Sequence, residues 1–229
     1  YRFLCLSRNV TEERSWHTAL GLEGTLKEQD GEVPRNRPLS DFVGALPGLA
    51  VEPVSEKNRE HIELLRDEIR RVDFEVPDTF RDEDPGDLIF APMGLPDIST
   101  GGPNHSGCNR HMVISPFLTD SQVHELARHG KPNVLISRAD ALNGLANSTY
   151  EKLQERETEL HVLDEGAENP DEFVPGEDEK ELDERGGEKE EVTTDRFSGL
   201  HAKLYVIEHG AYDTWLWTGS ANATSAGLG

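Results

Sequence analysis

Residues 200–207 are Leu-His-Ala-Lys-Leu-Tyr-Val-Ile, and residues 214–222 are Thr-Trp-Leu-Trp-Thr-Gly-Ser-Ala-Asn. Apolar residues alternate in both segments, which predicts strands over 200–207 and 214–218. Because side chains alternate between the faces of a strand, His201 and Lys203 share one face, and Ser220 and Asn222 share one side. We therefore expect an imidazole, an ammonium, a hydroxyl and a carboxamide to converge. Together these groups suit a phosphate ligand.

The preceding residues alternate between strand-like and helix-like segments. Apolar runs at 112–117 and 134–136 predict strands, and the segments that begin at Asp120 and Ala139 predict helices. Strand, helix, strand and helix at this short spacing are typical of βαβ units and a largely parallel sheet. Further strands are predicted over 2–6, 15–22, 88–90 and 160–163.

The strongest helix prediction begins after Ser55, a residue type that favours the N-cap position. Ile62, Leu65, Ile69 and Val72 follow at steps of three or four residues, which predicts a single apolar stripe along this helix. A shorter helix is predicted over 38–46, and a loop over 27–37.

Length and composition limit the class of protein. The chain has 229 residues, of which 34% are hydrophobic, so we expect one domain, or one domain plus part of another, with a real core. The longest uncharged apolar stretch, 42–51, is far shorter than the roughly 20 residues of a membrane-spanning helix, and no secretory signal is visible. Two cysteines cannot form a disulfide framework, which favours a reducing, cytoplasmic location. We also expect this chain to belong to a longer one.

The net charge of −22 argues against a large surface that coats nucleic acid. Residues 164–195 contain fifteen acidic and three basic residues, so this run alone carries −12 of the total. Such a polar segment predicts a disordered, solvated insertion at about 164–196. An autoinhibitory mimic of nucleic acid is the alternative interpretation of this run.

His201-x-Lys203 together with Gly219-Ser220-x-Asn222 resembles the HKD motif of the phospholipase D superfamily, which includes phospholipases, endonucleases and tyrosyl-DNA phosphodiesterases. The resemblance covers roughly residues 199–226 and departs from the family at Glu208, where the family has an Asp. Ser115-Pro116-Phe117 is similar to the start of the second half in bacterial members. The resemblance implies an α/β fold with a phospholipase D-like mixed sheet flanked by helices, pseudo-duplicated, with the first half only partly present.

An internal repeat supports this resemblance, since the family fold is a duplication. Residues 4–11 align without gaps on residues 217–224, although Leu6 stands where the second copy has Gly219. The alignment pairs Ser7 with Ser220, Asn9 with Asn222 and Thr11 with Thr224. We expect residues 1–105 to hold the tail of the first half plus an insertion, and residues 106–229 to hold the second half. The first His-x-Lys pair would precede Tyr1, so a preceding half or a second copy in a homodimer would complete the site.

The resemblance implies a metal-independent phosphodiesterase that acts through a phosphohistidine. One His attacks phosphorus and the partner His protonates the leaving oxygen, while lysines hold the equatorial oxygens. The predicted catalytic residues are His201, Lys203, Ser220, Asn222, Ser7 and Asn9, with no cofactor and no metal. Nucleic acid is the favoured partner, and no membrane association is expected because no basic amphipathic helix is visible. The alternatives are a phospholipase or phosphatidyltransferase, and a non-catalytic interaction module.

Three further features have less specific interpretations. Trp215 and Trp217 are predicted to pack in the core, with base stacking as the alternative. His105-x2-Cys108-x2-His111 has the spacing of zinc ligands, but without an evident fourth ligand we predict no metal there. Arg8 is predicted to lie on the surface, with a contact to substrate phosphate as the alternative.

Overall fold

The computed structural model describes residues 1–7, 15–28, 31–80, 88–95, 101–163, 199–211 and 213–228. The chain divides into two compact units, one of residues 1–5 with 19–104 and one of residues 6–18 with 105–229. The predictions for Arg8, Asn9, Thr11 and the acidic insertion at about 164–196 fall outside the described residues.

The first unit is built on a three-stranded antiparallel sheet. Its strands, in order across the sheet, are β1 (Arg2–Leu6), β3 (Ala19–Leu26) and β4 (Val72–Phe74). Two helices, α1 (Arg37–Leu49) and α2 (Glu56–Ile69), pack on each other between β3 and β4 in the sequence. The core of this unit contains Leu22, Val72, Phe74 and Phe90.

Helix α2 confirms the predicted cap but not the predicted length. The Asn58 N–H donates to the Ser55 hydroxyl at 3.3 Å, as expected for an N-cap serine. The helix ends at Ile69, and Val72 instead lies in β4, fully buried and paired with Leu26. Placing Val72 in the helix stripe was wrong because pairing with β3 buries it in a strand.

The predicted strand at 88–90 was also wrong. These residues have no regular structure, and Phe90 alone of the three is buried, in the core of the first unit. A short apolar run can pack against a core without joining a sheet, because burial of side chains does not require hydrogen bonds to a neighbouring strand.

The second unit contains a mixed five-stranded sheet. Its order is β10 (Asp213–Thr218), β9 (Leu204–Gly210), β5 (Arg110–Ile114), β6 (Asn133–Ser137) and β7 (Thr158–Val162). Strands β5, β6 and β7 are parallel, whereas β9 is antiparallel to both β5 and β10. The parallel βαβ arrangement predicted for 112–145 is therefore confirmed, and the chain is an α/β protein.

Helices connect the parallel strands and close the core of the second unit. The connecting helices are α3 (Asp120–Leu126), α4 (Ala139–Asn143) and α5 (Asn147–Glu155), and α6 (Ser225–Leu228) follows β10. The core includes Val113, Val123, Leu135, Leu153 and Tyr205. Among the described residues, no helix has the length and apolar character needed to cross a membrane.

Two predicted strands are interrupted in the structure. The segment 15–22 divides into β2 (Ser15–Trp16) and β3, and the segment 200–207 divides into β8 (Gly199–Leu200) and β9. Strands β2 and β8 pair in parallel, with Trp16 opposite Leu200. Residues 201–203 lie between β8 and β9, so the candidate site residues occupy a break in the predicted strand.

Candidate functional site

Four strand ends meet at one edge of the five-stranded sheet. Leu204, the first residue of β9, is opposite both Ile114, the last residue of β5, and Thr218, the last residue of β10. Ile114 is in turn paired with Ile136 near the end of β6. The segments that follow β5, β6 and β10, and the segment that precedes β9, therefore share this edge. In α/β sheets, ligands bind at the carboxyl ends of the parallel strands.

Lys203 is buried, and its side chain is held by two hydrogen bonds. It is only 5% exposed, and its Nζ donates hydrogen bonds to the carbonyl oxygens of Ser7 at 2.8 Å and of His201 at 2.9 Å. Among the described residues, no carboxylate lies within ion-pair distance of this ammonium. Burial lowers the pKa of Lys203 below the usual lysine value, because desolvation disfavours the charged form.

Two threonines fix the backbone around Lys203. The Thr18 hydroxyl donates to the Lys203 carbonyl at 3.3 Å, and the Thr218 hydroxyl lies 2.7 Å from Thr18 Oγ1 and 3.1 Å from the Lys203 carbonyl. This set of contacts joins the end of β10 to the segment before β9. Neither threonine was among the predicted site residues, and no spacing pattern in the sequence singled them out.

Ser7, in the segment after β1, lies beside the segment that carries His201 and Lys203. Its side chain accepts a hydrogen bond from the Thr18 N–H at 2.8 Å, and its own N–H donates to the Thr18 carbonyl at 3.0 Å. The hydroxyl and the N–H of Ser7 both bond to Thr18. The Lys203 ammonium therefore contacts the carbonyl oxygen of Ser7 and not its hydroxyl.

His201 is held through its backbone. Its N–H donates to the Trp16 carbonyl at 2.7 Å, which extends the β2–β8 pairing by one bond, and its carbonyl oxygen accepts from Lys203. The residue is half-buried and its Nε2 atom is shielded from solvent. The backbone of His201 and the ammonium of Lys203 are therefore held on one short, irregular segment.

Ser220 and Asn222 follow the end of β10. Ser220 is exposed, whereas Asn222 is half-buried with an Oδ1 atom that is shielded from solvent and has no hydrogen-bond partner among the described residues. A Cβ atom added at Gly219 would meet no atom within 4 Å, so there is open space beside this backbone. No hydrogen bond among the described residues joins these side chains to Lys203. The structure thus connects Ser7, His201 and Lys203 by direct contacts and leaves Ser220 and Asn222 at the adjoining strand end.

Asn222 is positioned by close packing of the backbone. A Cβ atom on Gly227 would collide with the Asn222 carbonyl oxygen and stand 2.9 Å from the Asn222 nitrogen, closer than real Cβ atoms come. The neighbouring Ala223 N–H donates to the buried Ser115 hydroxyl at 2.9 Å. Only glycine at position 227 allows α6 to turn this tightly against the motif.

Glu208, at the position where the family has an Asp, has a structural contact. Its carboxylate pairs with the Arg110 guanidinium at 2.8 Å across β9 and β5. Trp217 packs against the core of the second unit, as predicted, while Trp215 is half-buried.

His105, Cys108 and His111 are all buried, and Cys108 Sγ lies 3.8 Å from His111 Nδ1. The rings of His105 and His111 stack edge to face, with centroids 4.9 Å apart. Burial lowers the pKa of His105 to about 3 and that of His111 to about 4. In the described part of the chain, no three His, Cys, Asp or Glu side chains are arranged to hold a metal ion.

Compared with protein-family models, with curated proteins and with solved structures, the chain matches none. The resemblance to the phospholipase D superfamily is therefore carried by the motif residues alone.

Proposed function

We propose that this chain forms part of a metal-independent phosphodiesterase of the phospholipase D type that acts on nucleic acid. The observation that carries the proposal is the environment of Lys203. An ammonium has three N–H donors, and the carbonyl oxygens of Ser7 and His201 take two of them. A buried charge is costly unless an opposite charge compensates it. A phosphodiester would supply that charge and accept the third hydrogen bond.

The proposed reaction has two steps. In the first, a His201 ring nitrogen forms a bond to phosphorus while the bond from phosphorus to the leaving oxygen breaks, and a second acid gives that oxygen its proton. In the second, water attacks the phosphohistidine, releases a phosphomonoester and restores the imidazole. Lys203 stabilises the negative charge that develops on the non-bridging oxygens. By the family resemblance, the second acid is a histidine of a preceding half or of a second copy.

The choice of nucleic acid over lipid has support from the described surface. The phospholipase alternative needs a membrane dock, such as a helix with basic residues on one side and apolar residues on the other. In helix α2, acidic residues outnumber basic ones, with Glu56, Glu60, Glu63, Asp67 and Glu68 against three arginine or lysine residues. Helix α2 therefore does not form a dock of this kind.

Anion binding is the first test, because it requires only this chain. Titration calorimetry with tungstate, a phosphate analogue, should show one site, and Lys203→Met should weaken it at least tenfold. Lys131→Met removes an exposed lysine that pairs with Glu157 and is the matched control. Equal affinity in the Lys203→Met variant and the parent protein would contradict the proposal.

Turnover is the second test, and it requires the second histidine of the proposed site to be present. Hydrolysis of a chromogenic phosphodiester should persist in EDTA, and His201→Ala should abolish it, because the nucleophile is gone. His161→Ala, at a half-exposed histidine of β7, is the control and should leave the rate unchanged. Hydrolysis of phosphatidylcholine vesicles with no activity on oligonucleotides would favour the phospholipase alternative instead.

A further inference from the structure

Phe117 is an aromatic residue exposed at the sheet edge where β5, β6 and β10 end. It lies three residues beyond the end of β5 and is 42% exposed, although the two residues before it are buried. Burying such a ring is favourable, so a phenylalanine left open at a strand end is suited to contact a ligand.

The backbone around Phe117 is fixed to the segment that carries Asn222. The Ser115 hydroxyl donates to the Phe117 carbonyl at 2.8 Å and accepts from the Ala223 N–H at 2.9 Å. Leu118 also pairs with Ala223 in a parallel bridge. Because these contacts are short and Ser115 is fully buried, Phe117 is held in place next to the Gly219–Asn222 segment without any ligand.

Arg138 stabilises the Phe117 ring. Its guanidinium carbon lies 5.6 Å from the ring centroid, within the range of a cation–π contact. Two hydrogen bonds of 3.0 Å from the guanidinium to the Asp140 carboxylate hold the guanidinium beside the ring. Arg138 follows the end of β6 as Phe117 follows the end of β5, so the pair is positioned by adjacent parallel strands.

We propose that Phe117, supported by Arg138, is a stacking platform for an unpaired base of a nucleic acid whose phosphodiester is bound by Lys203. This inference rests on the proposed function and defines its substrate as single-stranded. The charge of the chain favours the same class, because a net charge of −22 opposes binding through phosphates alone. Stacking is independent of charge, and every base offers a face to stack. A base held in a duplex is not available to the ring.

The test measures anisotropy of a fluorescein-labelled oligothymidylate in about 0.5 M NaCl, where repulsion between exposed charges is screened. The parent protein should bind the single strand more tightly than a duplex of the same length. Phe117→Leu should weaken binding to the single strand about tenfold, as expected for the loss of one stacked base. Phe117→Trp should retain it. Phe80→Leu, which changes a 51% exposed phenylalanine of the first unit, is the matched control and should have no effect.

An abasic oligonucleotide separates stacking from other contacts, since Phe117→Leu should not change its affinity. Equal single-strand affinity of the parent protein and the Phe117→Leu variant, with thermal unfolding unchanged, would overturn the platform. Tungstate titrations of the same variants keep the two proposals apart. If tungstate binds through Lys203 while Phe117→Leu is without effect on DNA, only the platform fails. If tungstate does not bind but single-strand affinity depends on Phe117, the proposed phosphodiester site fails and the platform stands.

Discussion

The ammonium of Lys203 lies 2.8 Å from the carbonyl oxygen of Ser7, 196 residues away in the sequence. This contact joins the segment after β1 to the segment before β9 and buries a positive charge between main-chain oxygens. Carbonyl dipoles stabilise an ammonium only in part, and burial accordingly lowers the pKa of Lys203. The Lys203 ammonium is thus held where a bound anion could compensate its charge.

The affinity for a phosphate analogue should depend on pH through Lys203. Only the protonated ammonium attracts the anion, so affinity should be constant at neutral pH and fall as pH rises through the lowered pKa of Lys203. Above that pKa, the dissociation constant should increase about tenfold per pH unit. Tungstate titrations from neutral to alkaline pH measure this, with the Lys131→Met variant expected to give the same profile. An affinity that stays constant up to the ordinary lysine pKa would contradict the role of Lys203.

Thr218→Val should weaken both the fold and the anion site. The substitution keeps the shape of the side chain but removes the hydroxyl that contacts Thr18 and the Lys203 carbonyl. Loss of this hydrogen bonding should cost about 1 kcal/mol of unfolding free energy, measured by urea denaturation. Tungstate affinity should fall severalfold because the Lys203 backbone is less well fixed.

Thr214→Val is the control, since Thr214 lies exposed on the same strand, β10. It should alter neither stability nor tungstate affinity. If Thr218→Val lowered stability but left the tungstate affinity unchanged, the threonine pair would have a purely structural role.

Three glycines near β9 and β10 should respond differently to alanine. Gly227→Ala should lower the unfolding free energy by about 1–3 kcal/mol, because the new Cβ collides with the Asn222 backbone. Gly219→Ala should leave the thermal midpoint unchanged but weaken tungstate binding, since its Cβ enters the open space beside the motif. Gly210→Ala, equally open and at the far end of β9, is the control and should change neither quantity. Unchanged tungstate affinity in Gly219→Ala would place the anion elsewhere.

Local patterns in the sequence were sufficient for much of the second unit. Apolar runs predicted β5 and β6, alternation predicted β10, and their spacing predicted the parallel pairing, because each of these features depends on neighbouring residues. The break at 201–203 could not be predicted in this way. It depends on the Trp16 carbonyl and on Thr18, which precede it by about 185 residues and which only the folded chain brings close.

In the candidate site, too, the sequence predicted only the residues that belong to a local pattern. The motif identified His201 and Lys203, and the repeat identified Ser7, since each has a recognisable spacing. The contributions of Thr18, Thr218 and Ser115 depend on hydrogen bonds between distant segments, and serine and threonine are too common for their positions to be a signal. The α5 helix was also missed, because its apolar residues are few and its buried Thr149 is polar.

The buried histidine pair should make the protein sensitive to acid. His105 has no hydrogen-bond partner for either ring nitrogen among the described residues, and burial together with the nearby His111, His129 and His209 lowers its pKa to about 3. The ordinary value of 6.5 applies when the chain is unfolded, so the unfolded state binds a proton first as pH falls. The contribution of His105 to stability is therefore complete above about pH 6.5 and is lost as pH falls from there toward 3.

His105→Phe should flatten this acid dependence. A phenyl ring fills the same buried site, leaves no polar atom without a partner and cannot take up a proton. As pH falls from about 6 to about 4, the unfolding free energy of the variant should fall less steeply than that of the parent protein. The two slopes should differ by about 1.4 kcal/mol per pH unit. Urea denaturation at several pH values measures the two slopes. His161→Phe removes a half-exposed imidazole and should change the slope much less. Equal slopes for His105→Phe and the parent protein would contradict this role of His105.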